Sequence, residues 1–189
     1  MRLRTIATVL AATLLAAGWA SAKDSPDQQR EKIRKMASEA LTDLYKLHPP
    51  AQGAIAKSAG YAVFSSLGVN LLLLSTAHGS GLAVNSKTKQ ETFMKMLSVG
   101  AGLGAGVKDS RVIFVFETEQ ARDQFIDSCW EGSWQADAAV KTGTSGGAYS
   151  GATMLGSGVW VYQITKKGLA LQATLQGTKY SKDDDLNKK

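Results

Sequence analysis

The sequence predicts an α+β domain: a mainly antiparallel, barrel-like β-sheet core with an N-terminal amphipathic helix and one short helix in the second half. Three observations carry that expectation. Apolar residues recur three and four apart between Ile33 and Leu47, as along one side of a helix. From Tyr61 onward the pattern changes to short β-like runs broken by Gly, Ser and Asn. The 189 residues contain one Cys and two His, so the fold must rest on an apolar core and not on disulfides or a metal.

Residues 1–22 read as a secretory signal, with Arg2 and Arg4 as the positive region, Ile6 to Trp19 apolar, and Ala20-Ser21-Ala22 as a small-residue cleavage site. The mature chain is expected to begin near Lys23, leaving residues 23–180 as one domain and 181–189 as a charged, frayed tail. Lys23 stands where a lipoprotein would carry Cys, and no later run approaches the ~20 apolar residues of a membrane helix. The expected product is periplasmic or secreted, soluble after processing, and mildly basic. The whole chain carries 22 Lys+Arg against 16 Asp+Glu, and loss of Arg2 and Arg4 lowers the net charge from +6 to about +4.

Ser25-Pro26 with Gln28 is a helix start: Ser as N-cap, Pro at the first helical position, Gln completing a capping box. The helix should run to about Leu47 and stop at His48-Pro49-Pro50, with a short second helix over Ala51 to Ser58. Strands are expected at Tyr61–Ser65, Val69–Ala77, Gly81–Asn85, Thr92–Leu97, Arg111–Phe116, Trp134–Lys141, Val159–Thr165 and Leu169–Gly177. Thr118 caps a helix through about Asp127, Lys166-Lys167-Gly168 forms a hairpin turn, and Ser145 to Gly158 reads as a loop.

Between Val99 and Val107 glycine occupies every second position. In a continuous strand this would leave one face bare at Gly100, Gly102, Gly104 and Gly106, a face that something should approach closely, either another element of the fold or a ligand. The run is not a phosphate loop, because Gly106-Val107-Lys108-Asp109 lacks the Gly-Lys-Ser/Thr sequence and a strand follows. Gly143-Thr144-Ser145-Gly146-Gly147 matches a nucleophile elbow formally, but poor helix sequence follows and neither His lies after Ser145. His48 suits a helix C-terminus, His78 a Gly-Ser turn, and Cys129 a small buried apolar position. No metal-ligand spacing, cofactor motif or nucleic-acid partner emerges, and no nucleophile, base and orienting group can be assembled into an enzyme.

The best functional candidate is the first helix. Arg30, Lys32, Arg34 and Lys35 adjoin Ile33 and Met36, so a basic flank borders an apolar stripe, as in helices that settle on anionic membranes. The same stripe would equally serve packing inside the domain.

The order of these pieces resembles the SYLF domain family, a lipid-binding module of trafficking and actin-associated proteins in yeast and animals and of exported bacterial proteins. The matching stretches are the N-terminal helix before Ala56-Lys57-Ser58-Ala59-Gly60-Tyr61-Ala62-Val63-Phe64, the glycine-rich Ser98 to Val107 with Ser110 to Phe116, then Trp134 to Val140, and Lys167-Gly168-Leu169-Ala170-Leu171-Gln172. The resemblance implies binding of phosphoinositide or other anionic phospholipid through the N-terminal helix, and actin binding in some eukaryotic members. Export would separate this chain from actin and phosphoinositides, which narrows the expectation to an anionic phospholipid or membrane surface. The alternative is an envelope protein-interaction module, with a protein partner or homo-oligomer on the glycine face.

Overall fold

The structure, a computed structural model, describes residues 24–71, 74–101, 106–128, 149–156, 158–165, 168–170 and 178–188. The expected signal, the Trp134–Lys141 strand, the Ser145 loop, Cys129, Gly102 and Gly104 lie outside the described residues, as does most of Leu169–Gly177.

Helix α1 spans Pro26–Leu47. Its start is the capping box that the sequence encodes: the Gln28 backbone N–H donates to Ser25 Oγ at 3.3 Å, and the Ser25 N–H donates to Gln28 Oε1 at 2.9 Å. Its end comes where the two prolines remove donors, with the His48 N–H closing on the Leu44 carbonyl at 2.7 Å. Helix α2, Pro50–Lys57, follows directly and buries Ala51, Ala54 and Ile55.

The strands are β1 Gly60–Leu71, β2 Leu74–Asn85, β3 Glu91–Ala101, β4 Gly106–Phe116, β5 Thr153–Gly156, β6 Val159–Thr165, β7 Gly168–Ala170 and β8 Thr178–Lys182. They form one sheet in the order β5-β6-β4-β1-β2-β3-β8, with β7 pairing the other half of β6, and every pairing is antiparallel. Thr165 of β6 pairs with Gly168 of β7, while Lys166 and Lys167 of the expected hairpin turn lie outside the described residues.

Several expectations need correction. Val69–Ala77 is not one strand: β1 ends at Leu71, β2 begins at Leu74, and these residues pair with each other. His78 lies within β2, opposite Leu67 and Leu97, and not in a turn. Part of the expected Ser145–Gly158 loop is β5, which reverses into β6 through Gly156 and Gly158 at positive φ. The glycine run is not one strand either. Chain leaves β3 at Ala101 and enters β4 at Gly106, two strands that are separated in the sheet by β1 and β2. Of the expected tail 181–189, residues 181–188 are not frayed, since Ser181 and Lys182 close β8 and Asp184–Asn187 form helix α4, capped by Asp183 and burying Leu186.

The sheet curls. Four strand spacings separate β4 from β8, about 19 Å in a flat sheet, yet the rings of Phe114 and Tyr180 lie 5.0 Å apart and those of Phe64 and Tyr180 4.7 Å. Helix α3, Glu119–Asp127, capped by Thr118 as expected, fills this concave side with Phe125, 4.8 Å from Phe114. The result is an aromatic half-barrel interior of Phe64, Phe114, Phe116, Phe125 and Tyr180. The convex side holds a second core, where Ile33, Ala37, Ala40 and Leu44 of α1 pack with α2 and α4 on Val63, Leu82, Phe93 and Ile113.

Glycine does permit close approach, but at other positions than the run suggests. A Cβ at Gly81 would run into the Val63 carbonyl oxygen and come within 2.5 Å of the Phe64 ring. One at Gly79 would meet the Ser65 carbonyl oxygen at 2.5 Å. These bare positions on the concave face let the sheet bend around its aromatic filling.

Candidate functional site

Helix α1 was expected to offer Arg30, Lys32, Ile33, Arg34, Lys35 and Met36 together, and its docking divides them. Ile33 is 5% exposed in the convex core and Met36 packs against the same cluster, so the apolar stripe is occupied by the sheet. The four cations point away from it in different directions. Arg30 reaches the far end of the chain: its Nε donates to the Leu186 carbonyl and its Nη2 to the Lys188 carbonyl, both at 2.8 Å, while Nη1 pairs with Asp27 at 2.6 Å. Arg34 donates from Nε to Glu91 at 2.8 Å and lies over the Phe93 ring, 5.3 Å from its centroid. Lys32 is well exposed and pairs with Asp24 at 2.7 Å. Lys35 is exposed and makes no ion pair with another described residue.

The two described glycines of the run, Gly100 and Gly106, stand at the same end of the sheet, opposite Ser75 and Asn70 respectively. They belong to β3 and β4 and stand in one cross-strand row, with Asn70 of β1 and Ser75 of β2 between them.

Sequence reasoning did not single out Arg111. It projects from β4 under the C-terminal half of α1, pairing with Asp43 at 3.1 Å and Glu39 at 3.8 Å. With Ser38, Thr42 and Lys46 these groups line a shallow groove of about 310 Å³. Two carboxylates already neutralise the guanidinium, so the groove is poorly suited to a second anion. The signal in sequence would have been acids at 39 and 43, one turn apart on the helix, and a cation opening the apolar run Val112–Phe116.

His48 does not bond the last helix carbonyls with its ring, as expected, but shares a hydrogen bond of 3.0 Å between Nε2 and Ser150 Oγ. Its ring lies 6.0 Å from that of Tyr162. Burial, followed by the neighbouring Tyr149, pushes the Tyr162 hydroxyl up to about 12. Among the described residues no carboxylate hydrogen-bonds this His–Ser pair, and no group of three or more His, Cys, Asp or Glu side chains could hold a metal. The pair ties the α1–α2 corner to the turn before β5.

Residues 97–189 match the Ysc84 family, described as "Las17-binding protein actin regulator". Over 159 residues the chain is 36% identical to Beta cell expansion factor A of Aeromonas veronii, a SYLF-family protein. Residues 97–189 carry the SYLF domain match. The 159-residue alignment covers 84% of this chain and 59% of the relative, so the chain spans about three-fifths of the relative's length. SYLF domains are binding modules, and the fold here fits that role, with one core inside the curled sheet and a second where α1, α2 and α4 pack on its convex side.

Proposed function

We propose that this SYLF domain binds the surface of anionic phospholipid bilayers and performs no catalysis. The observation that carries the reading is the division of α1, which docks its apolar stripe on the sheet and leaves Lys32, Arg34 and Lys35 on its exposed side. A helix held in this way supplies charge and not acyl-chain contact. Each cation near an anionic surface contributes about 1 kcal/mol, and Asp24 and Glu91 reduce that for Lys32 and Arg34. Binding through the helix is therefore reversible and weakens with salt. The signal-like residues 1–22 support a site of action in the periplasm or outside the cell.

Co-sedimentation with phosphatidylglycerol and phosphatidylcholine vesicles across a salt series tests this. Binding is expected to the anionic vesicles alone, to fall with salt, and to be lost in Lys32→Glu/Lys35→Glu. Unchanged binding by that variant removes the helix from the mechanism. The family description names a protein partner, and that favours a second reading, a protein-interaction module. A stable oligomer or captured partner with no affinity for either vesicle would select it.

A further inference from the structure

The groove beneath the C-terminal half of α1 is lined by residues whose hydrogen-bonding groups the fold leaves partly free. Glu39 and Asp43 stand one turn apart on the helix, and Lys46 follows three residues later. The three line one wall, with Ser38 and Thr42 beside them and Arg111 of β4 facing them. Acids at that spacing repel each other, and Arg111 relieves the repulsion unequally. Its Nη1 donates to Asp43 Oδ2 at 3.1 Å, whereas its Nη2 stops 3.8 Å from Glu39 Oε2, beyond hydrogen-bonding distance. Glu39 therefore keeps its acceptor sites, and the guanidinium keeps donors to spare. The Lys46 ammonium and the Ser38 hydroxyl have no partner among the described residues.

The lining groups sum to no net charge, two carboxylates against two cations. A lone anion meets the carboxylates beside Arg111, and a lone cation meets Lys46 and the guanidinium. A zwitterion avoids both conflicts, because its ammonium takes Glu39 and so frees Arg111 Nη2 for its own anionic end. Length narrows the class further. Lys46 follows Glu39 by seven residues, about 10.5 Å along the helix axis. The two charges of a single α-amino acid are one residue apart and would require both long side chains to fold inward, at a cost in rotamer freedom. Two extended residues span about 7 Å, and a hydrogen bond of about 2.8 Å at each end covers the remainder. We propose that this groove binds a free dipeptide with uncharged side chains. Its N-terminal ammonium lies on Glu39, its C-terminal carboxylate on Lys46 and Arg111, and its peptide group against the hydroxyls of Ser38 and Thr42. The groove volume of about 310 Å³ suits a ligand of this size. The inference is independent of the bilayer reading above, which rests on Lys32, Arg34 and Lys35. Exposed ion pairs are individually weak, so Kd falls in the millimolar range.

Titration of the ¹⁵N-labelled full chain with L-alanyl-L-alanine, followed by its amide shifts, tests this. Saturable shifts centred on residues 38–46 and on Arg111 are expected. Blocking one end of the probe, as N-acetyl-alanyl-alanine or alanyl-alanine amide, or shortening it to alanine should weaken binding about fivefold in each case. Glu39 and Lys46 are exposed, so Glu39→Gln and Lys46→Gln should leave the rest of the amide spectrum unaltered while losing a similar factor for the dipeptide. Each variant should also lose its preference for the matching free end: Glu39→Gln for the ammonium, Lys46→Gln for the carboxylate. A merely structural role for these side chains predicts no such matching. Equal affinity for the dipeptide and both blocked forms, shifts that map elsewhere, or no saturation in the millimolar range overturns the proposal.

Discussion

Replacing Arg30 with Ala separates structure from function within a group of cations that look equivalent in the sequence. The guanidinium donates two hydrogen bonds of 2.8 Å to carbonyls of the segment after β8, and the Arg30 side chain is 20% exposed. A hydrogen bond from a charged donor contributes about 1.5–3 kcal/mol, and partial exposure places this pair near the lower end, for about 3 kcal/mol in all. The ion pair with Asp27, which is 90% exposed, adds little. At about 2–4 °C per kcal/mol for a domain of this size, Arg30→Ala should lower Tm by about 6–12 °C. Lys35→Ala, with no such partner, should stay within about 0.5 kcal/mol of the parent. Calorimetric melts of the two variants, with urea titrations to check that m is unchanged, measure the difference. Equal Tm values for Arg30→Ala and Lys35→Ala would refute the division of α1 drawn here.

Two further perturbations follow from the cores. Gly81→Ala forces a Cβ against the Val63 carbonyl oxygen and the Phe64 ring and should cost more than about 2 kcal/mol, whereas Gly53→Ala meets nothing within 4 Å in helix α2 and should stabilise by about 0.5–1 kcal/mol; urea midpoints report both. Burial holds the Tyr162 hydroxyl at about 12, above its ordinary value of 10.0, so the unfolded chain loses this proton first as pH rises. The contribution to stability is full below about pH 10 and is lost as pH climbs toward 12. Because that hydroxyl has no hydrogen-bond partner among the described residues, Tyr162→Phe should be close to neutral at pH 7 and should flatten the alkaline slope of urea stability.

Elements specified by neighbours in sequence were readable, and those specified across the fold were not. The Ser25–Gln28 box, the proline stop and the Thr118 cap act within a few residues, and each lies where the sequence placed it. Strand lengths were understated because the Gly-Ser stretch around His78 and Gly79 read as a turn, although Gly79 and Gly81 serve to admit Met96 and Phe64 on the concave face. The 181–189 stretch looked like a tail because its stabilising partners, Arg30 and the ladder of β3, lie far away in the chain. For the same reason the basic helix was visible as a group while the fate of each cation was not. The surroundings of Leu97 were half legible: the alternation Phe93-Lys95-Leu97 is a strand face, but joining it to His78 and Lys179 requires the register.

The contact between α1 and α4 also bears on how the chain is made. Arg30 is among the first described residues to leave a ribosome, and its acceptors at Leu186 and Lys188 follow 156 and 158 residues later. Asn187 then fastens the same segment to β3 by accepting from the Phe93 N–H at 2.9 Å. Closure of the convex core therefore waits until residues 186–188 have been made, a high-contact-order step that slows folding and leaves the nascent chain's apolar stripe uncovered for longer. A protease that removes residues 183–188 would return α1 to that unfinished state, with its N-terminal half the first part to come away from the sheet.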